Sequence, residues 1–170
     1  QHALSLMAEM RDHEVKPDLI SYNAAVSACE KAGQWCQALM TLDDLCVATI
    51  SPNVISLSSA VSACEKSRQW QCAMSLLEKM RSLTVMPNTI SYNAAVSACE
   101  KSSQWSHVLS LLNEMSSSSL TKDVITMSAA ISACEKGRQW QQALELLDNM
   151  HSLGMIPNVI SFSAAISACK

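Results

Sequence analysis

Eight cysteines are the most chemically versatile residues of this sequence, because thiols can form disulfides, ligate metals or act as nucleophiles. Five of them recur at an interval of 35 residues: Cys29, Cys64, Cys99, Cys134 and Cys169. A constant interval of this length is typical of a structural repeat and not of a metal site. Equivalent residues on helices stacked about 8–10 Å apart are also too distant for a disulfide, which needs Cα atoms within roughly 7 Å. We therefore predict five buried free thiols; the other three cysteines, Cys36, Cys46 and Cys72, have no repeated partner.

The histidines add no second reactive group. The four of them, His2, His13, His107 and His151, fall at unrelated positions of the 35-residue interval. Metal sites and catalytic dyads need side chains at fixed mutual positions. The sequence also has neither a glycine-rich phosphate loop nor a nucleophile with a base and an orienting group. We predict no catalytic residue, no metal and no cofactor, so an enzyme is not expected.

The same interval governs other residue types and reveals how the chain is organised. Tryptophan recurs at Trp35, Trp70, Trp105 and Trp140. Proline recurs at Pro17, Pro52, Pro87 and Pro157, with Lys122 at the one such position that lacks proline. The segment 20–31 is repeated unchanged at 90–101. Because periods of about 20 to 50 residues are typical of solenoids, the 170 residues are predicted to hold four full repeats and two partial ones.

Each repeat is predicted to form two helices. The first has apolar residues at the i, i+3, i+4 and i+7 positions of one helix face: Tyr22, Ala25, Val26 and Cys29. The second begins near tryptophan and follows the same period: Trp70, Ala73, Met74, Leu77 and Met80. A low aromatic content of 4% and only three glycines favour closely packed helices. We predict an all-α fold, a right-handed α-solenoid of helix-turn-helix repeats.

The charge balance limits the classes of partner. Twelve basic and 15 acidic residues give a net charge of −3, so no bulk positive field attracts nucleic acid. Any binding of a polyanion must depend on a local arrangement of charges. The sequence has no run of 18 apolar residues, and we expect no membrane span.

The residues of each repeat resemble a known family. Within 54–88, the Ile-Ser opening, the Ala-Cys-Glu-Lys end of the first helix, the Leu-Leu-Glu-Lys-Met of the second and the closing Pro-Asn are similar to the pentatricopeptide repeat. The uniform 35-residue length resembles the pure class of these arrays, and the Glu-Lys-X-X-Gln-Trp turn resembles arrays of photosynthetic protists. The full repeats are then 19–53, 54–88, 89–123 and 124–158. We expect 1–18 to be a partial repeat with its second helix only and 159–170 one with its first helix only, as in a segment of a longer array.

The resemblance implies binding of single-stranded RNA, with one base read by each repeat. The base-reading residues it implies are the fifth and the last of each repeat: Asn23 with Asn53, Ser58 with Asn88, Asn93 with Asp123, and Ser128 with Asn158. It implies base-clamping isoleucines at Ile20, Ile55, Ile90 and Ile125, and phosphate-facing lysines at Lys31, Lys66, Lys101 and Lys136. By the family's code these pairs favour the tetranucleotide pyrimidine-A-U-A, read 5′ to 3′ from the N-terminus.

Structural roles for the same residues stay open. Asn and Ser at a helix start are often N-caps, because their oxygens accept from free backbone amides. A lysine at a helix C-terminus is stabilised by the helix dipole, and each lysine here directly follows a glutamate that cancels its charge. The tryptophans are expected to fill the core at the hairpin turn, with an exposed indole edge that contacts a partner as the alternative.

Two functions from different classes follow. The first is sequence-selective binding of an organellar transcript, in the mitochondrion or the plastid according to the resemblance. The second is a protein-binding scaffold or accessory subunit of a large organellar assembly, such as a ribosome or a photosynthetic complex, with little or no RNA recognition. The base-reading pairs favour the first function, whereas the net charge of −3 and the Glu-Lys pairs favour the second.

Overall fold

A computed structural model describes residues 2–170, and every regular element in that range is an α-helix. The helices are α1 (His2–Asp12), α2 (Leu19–Lys31), α3 (Trp35–Val47), α4 (Val54–Lys66), α5 (Trp70–Ser82), α6 (Thr89–Lys101), α7 (Trp105–Ser117), α8 (Val124–Lys136), α9 (Trp140–Ser152) and α10 (Val159–Ala168). Within the described range none of them is long and apolar enough to cross a bilayer. The predicted all-α fold is confirmed, and each second helix from α3 to α9 begins at a tryptophan.

The first helix of each repeat begins at a capping side chain. Asn53 has an extended backbone, and its Oδ1 accepts from the backbone N–H groups of Ile55 and Ser56, at 3.1 and 3.0 Å. Ser56 completes a capping box by accepting from the backbone N–H of Asn53 at 2.9 Å. The other caps, Asp18, Asn88, Asp123 and Asn158, each accept from the backbone N–H three residues further on. The last residue of every repeat thus fixes where the next first helix starts.

Each hairpin turn contains one residue with left-handed backbone dihedrals. Gly33 has a φ of +65°, and the equivalent Arg68, Ser103 and Arg138 have φ values between 55° and 58°. The residue that follows donates its backbone N–H to the cysteine carbonyl at the end of the first helix, as Gln69 does to Cys64 at 2.9 Å. This bond satisfies a carbonyl that the helix leaves unpaired and offsets the cost of a left-handed non-glycine residue, about 1–2 kcal/mol.

The chain forms two compact units, of which the first is Gln1–Ala94. In this unit α2 packs on α1, α3 and α4, and α4 packs on α3 and α5. Its core consists of aliphatic side chains from first and second helices, including Val26, Leu42, Leu57, Val61 and Leu77, all of them at most 1% exposed. The first helices of this unit therefore lie between neighbouring helices.

The second unit is Ala95–Lys170. Here α8 packs on α7, α9 and α10, and α9 also packs on α10. Leu111, Met115, Ile131 and Met150 are fully buried between these helices. In the turn between α8 and α9, Gly137 lies so close to the indole ring of Trp105 that an added Cβ would overlap the ring.

All eight cysteines are free thiols. Four members of the repeated set are buried as predicted, namely Cys29, Cys64, Cys99 and Cys134, but the prediction was wrong for Cys169, which is exposed. Cys169 directly follows α10, and its helix lacks the covering neighbours that α4 and α8 have. Burial raises the pKa of the Cys64 and Cys99 thiols to about 12 and that of Cys134 to about 11.

The exposed and the buried cysteines are expected to differ in how fast they are alkylated. With iodoacetamide at about pH 8, Cys36, Cys46 and Cys169 are expected to react fast and Cys64 and Cys99 only after unfolding, since the thiolate is the nucleophile. Mass spectrometry of digests over time measures the order. A raised folded-state pKa favours the folded state below the ordinary thiol pKa of about 8.5, and this contribution is lost as the pH rises through 12. Equal alkylation rates at Cys36 and Cys99 in the native protein would contradict the burial.

Candidate nucleic-acid interface

The structure brings together the fifth and the last residue of a repeat, which are 30 positions apart in sequence. Nδ2 of Asn23 lies 3.5 Å from Oδ1 of Asn53. Ser58 Oγ lies 3.4 Å from Asn88 Oδ1, and Ser128 Oγ lies 3.4 Å from Asn158 Oδ1. These distances are at the upper limit for hydrogen bonds, so each pair is in contact without being tightly bound.

The remaining predicted pair, that of the third repeat, has one residue in each compact unit. Asn93 is half-buried in α6 and Asp123 is the N-cap of α8, where its Oδ1 accepts from Thr126 N–H at 2.7 Å. Their positions in their own helices are equivalent to those of Ser58 and Asn88.

In the asparagines that end a repeat, the side-chain Oδ1 and Nδ2 have different hydrogen-bonding roles. Oδ1 of Asn88 accepts from the backbone N–H and the hydroxyl of Ser91, at 3.0 and 3.2 Å. Asn53 and Asn158 have the same arrangement with Ser56 and Ser161. The Nδ2 amides of these three asparagines donate to no acceptor within residues 2–170. These asparagines therefore do act as N-caps, but only through Oδ1. Their Nδ2 groups can still donate hydrogen bonds to a bound molecule.

Serine and asparagine at the fifth position shape different surfaces. Ser58 and Ser128 are only 6% and 5% exposed, and the Ser128 hydroxyl donates to the Val124 carbonyl at 2.6 Å. Asn23 is larger and half-buried, and its Oδ1 is a buried acceptor without a partner among residues 2–170. In the second repeat the small serine thus leaves a recess beside the last residue, whereas in the first repeat the larger Asn23 takes up the equivalent space with its amide.

The predicted clamping isoleucines are exposed, although they are large and apolar. Ile20, Ile55, Ile90 and Ile125 lie at the second residue of their helices and are between 57% and 75% exposed. Ile160 occupies the same position in α10 with 61% exposure and was missed, although the 35-residue interval from Ile125 leads to it. In the first unit, Ile55 and Ile90 line a groove together with Ser58, Asn88 and Glu30. In such a groove a flat ring can stack on the apolar side chains and form hydrogen bonds with the polar ones.

The lysine row is paired differently from the sequence expectation. Nζ of Lys66 lies 3.1 Å from Oε1 of Glu30, and Nζ of Lys136 lies 2.6 Å from Oε1 of Glu100. Each of these lysines therefore pairs with a glutamate 36 residues earlier, in the preceding repeat, and not with the glutamate directly before it. Lys31 is exposed and Lys101 half-buried at the equivalent positions of α2 and α6.

Models of known protein families match most of the chain. The family model described as "Pentatricopeptide repeat domain" matches residues 5–67 and 40–102, "PPR repeat" matches 90–120, and "PPR repeat family" matches 122–170. The chain belongs to the pentatricopeptide repeat (PPR) family. The predicted resemblance to the pentatricopeptide repeat is thereby confirmed. No curated protein matches the PPR chain significantly in sequence.

Solved structures share the fold of this PPR protein. The pentatricopeptide repeat protein PPR10 from maize superposes with a TM-score of 0.84 at 20% identity, over 96% of this chain and 24% of PPR10. PPR10 in complex with an 18-nt psaJ RNA element has a TM-score of 0.75 at the same identity and coverage. The PPR domain of Arabidopsis thaliana protein-only RNase P 1, in complex with tRNA, has a TM-score of 0.86 at 13% identity, over 99% of this chain and 89% of that domain. The chain spans about a quarter of the length of PPR10, and at these identities the likeness shows an all-α repeat solenoid.

Proposed function

We propose that this PPR protein binds single-stranded RNA in a sequence-selective way, with one base read by each repeat. The observation that carries the proposal is the contact between the fifth and last residues of three repeats, with an amide donor available at each. The exposed isoleucines beside these pairs offer apolar surfaces on which a base can stack. The likeness to PPR10 in complex with RNA supports the same function.

The available atoms favour particular bases. The Nδ2 donor of Asn88 or Asn158 complements a ring nitrogen that accepts, as in adenine and cytosine, and the smaller serine leaves more room for a purine than asparagine does. Asn53 also offers a donor, but Asn23 fills the recess, so a pyrimidine is favoured there. Asp123 carries a carboxylate, which only accepts and suits the N–H of uracil. The preferred site is therefore pyrimidine-A-U-A, with cytosine favoured as the pyrimidine.

Binding can be measured by fluorescence anisotropy at fixed salt concentration. RNA that contains CAUA within a longer single strand is expected to bind more tightly than a scrambled sequence of the same composition, by about tenfold or more for each base that is misplaced. Equal affinities for the two RNAs would contradict base reading and would leave only general RNA binding.

The lysines supply a second measurement. Replacing Lys31, Lys66, Lys101 and Lys136 by glutamine is expected to weaken binding of matched and scrambled RNA alike. The slope of log affinity against log salt should flatten by up to about 0.7 for each phosphate contact removed, because fewer counterions are released. Identical slopes for the parent and the variant would assign these lysines to helix capping and ion pairing alone.

A scaffold function is the alternative, and exposed apolar side chains favour it. Met40 and Val47 lie on α3 and Met86 lies in the loop between α5 and α6, and the three side chains are 67% to 83% exposed. Such surfaces are typical of protein contacts, and the ion-paired lysines reduce the attraction for RNA. Purification of the native protein, followed by identification of the RNA and protein subunits that co-isolate, distinguishes the two functions.

The cellular setting of the proposal follows the family resemblance. We propose that the protein acts in the mitochondrion or the plastid, on an organellar transcript. It would act there by occupying its site and excluding nucleases or RNA structure, without catalysing a reaction. Fractionation of cells that express the tagged full-length protein tests the compartment.

A further inference from the structure

A carboxylate accompanies the lysine row within the proposed RNA groove of the first unit. Glu30 lies at the penultimate residue of α2 and lines the same groove as Ser58 and Asn88. Its side chain is 23% exposed, whereas that of its partner Lys66 is 40% exposed. The carboxylate is therefore the inner member of the pair and the ammonium the outer one.

The second unit repeats the arrangement with shorter distances. Lys136 Nζ donates to Glu100 Oε1 at 2.6 Å and also to the backbone carbonyl of Glu100 at 3.2 Å. The Glu100 side chain is 17% exposed and that of Lys136 is 40% exposed. One ammonium thus neutralises a carboxylate and caps the C-terminal end of α6, where the helix dipole favours a positive charge.

These contacts change what a lysine can offer to RNA. A free ammonium gains from a phosphate because counterions are released into solution. An ammonium that already has a carboxylate at hydrogen-bond distance neutralises a phosphate less completely, so fewer of the cations condensed on the RNA are released, and the carboxylate would lie close enough to repel the incoming phosphate. Phosphate contacts made by Lys66 and Lys136 should therefore add less affinity than contacts made by unpaired ammonium groups would.

We infer that Glu30 and Glu100 act as built-in counterions that suppress sequence-independent RNA binding, so that stable binding depends on base reading. The inference rests on the proposed RNA-binding function and adds to it a specificity-determining role for residues that do not read bases. It also explains how a chain of net charge −3 can keep a lysine in every repeat without attracting polyanions in general.

The test is the double variant Glu30→Gln/Glu100→Gln, called the groove variant below, with Glu78→Gln/Glu145→Gln as the matched control. The control removes the same two charges from exposed positions on the second helices α5 and α9, so it corrects for the change in net charge. Affinity for matched RNA and for a scrambled RNA of equal length is measured in both variants and the parent between about 50 and 200 mM salt, concentrations at which phosphate contacts dominate the salt dependence.

The groove variant is expected to bind the scrambled RNA about 3- to 10-fold more tightly than the parent does, with a salt slope steeper by about 0.7 for each lysine that is freed. The control should change the affinity less and leave the slope near the parent value. The conservative variant Glu30→Asp/Glu100→Asp keeps both charges and should keep the parent slope.

Weaker binding by the groove variant would overturn the inference, because it would mean that the carboxylates hold the lysines in a productive position. Equal effects in the groove variant and the control would also overturn it, since only bulk charge would then matter. In both cases binding by the parent protein leaves the proposed function standing. If neither the parent nor the groove variant binds RNA, the proposed function fails together with the inference.

Discussion

Replacing Ser58 by asparagine and Asn88 by aspartate is expected to change the base preferred by the second repeat from adenine to uracil. The larger amide side chain would fill the recess that Ser58 leaves, and the new carboxylate would put an acceptor where Asn88 offers an amide donor. The discrimination between adenine and uracil should then reverse, at about 1–3 kcal/mol for the lost base contact.

The change is expected to leave the fold intact, because the chain already carries both new residue types at equivalent positions. Asn23 occupies the fifth position of the first repeat, and Asp18 caps α2 through the same bond to a backbone N–H that Asn88 makes in front of α6. Asn and Asp are also about equally effective as N-caps. Thermal unfolding followed by circular dichroism should therefore change little.

Two RNAs that differ only at the second letter measure the preference, and two that differ only at the fourth letter provide an internal control through the fourth repeat. It carries the same Ser-Asn pair, Ser128 with Asn158, so its preference for adenine should be unaffected in the variant. Unchanged discrimination at the second letter would reject the assignment of base reading to Ser58 and Asn88. Loss of discrimination at the second and fourth letters together would indicate a change in the fold.

The fold was predictable because the spacing of apolar residues within a single repeat already specifies its two helices. Val61 and Cys64 occupy the buried side of α4, where the i, i+3, i+4 and i+7 spacing puts them, and they are fully buried. This spacing can be recognised without knowing how one helix packs on another, since the same apolar face must be covered in every repeat. The start of α5 at Trp70 was predictable for the same reason.

The partners across repeats were not predictable from local patterns. Glu30 and Lys31 are neighbours in sequence, but successive residues of a helix point in directions about 100° apart and do not face each other. Packing of α2 on α4 instead brings Glu30 to Lys66, and this pairing depends on the lateral offset between the two helices. The contacts between fifth and last residues have the same origin, so the sequence indicated them only through the family resemblance.

Gly137 is a second feature that the sequence does not reveal. The equivalent residues of the other turns, Ala32, Ser67 and Ser102, all carry a Cβ, so the repeat pattern gives no sign that glycine is required. The requirement arises from the position of Trp105, whose indole ring occupies the space that a side chain at residue 137 would need.

Replacing Gly137 by alanine is therefore expected to destabilise the second unit by about 1–3 kcal/mol, the usual cost of overpacking. The backbone conformation alone predicts the opposite, namely that alanine at this position raises the free energy of unfolding. Gly137 has φ −82° and ψ −1°, which alanine adopts without strain, and such a Gly-to-Ala change normally stabilises a protein by about 0.4–1 kcal/mol. The sign of the change in the free energy of unfolding thus separates the close contact with Trp105 from the effect of chain entropy.

A double-mutant cycle with Trp105→Leu isolates that contact. Without the indole ring, Gly137→Ala should be neutral or stabilising, so the two substitutions should couple strongly, whereas distant sites add. Hydrogen exchange locates the effect: protection should fall in α7, α8 and α9, while amides around Val61 in the first unit keep theirs, because a solenoid repeat contacts only its neighbours. A stabilising Gly137→Ala in the presence of Trp105 would mean that the indole ring moves aside at no cost, and the turn would then tolerate a Cβ as the equivalent turn at Ser67 does.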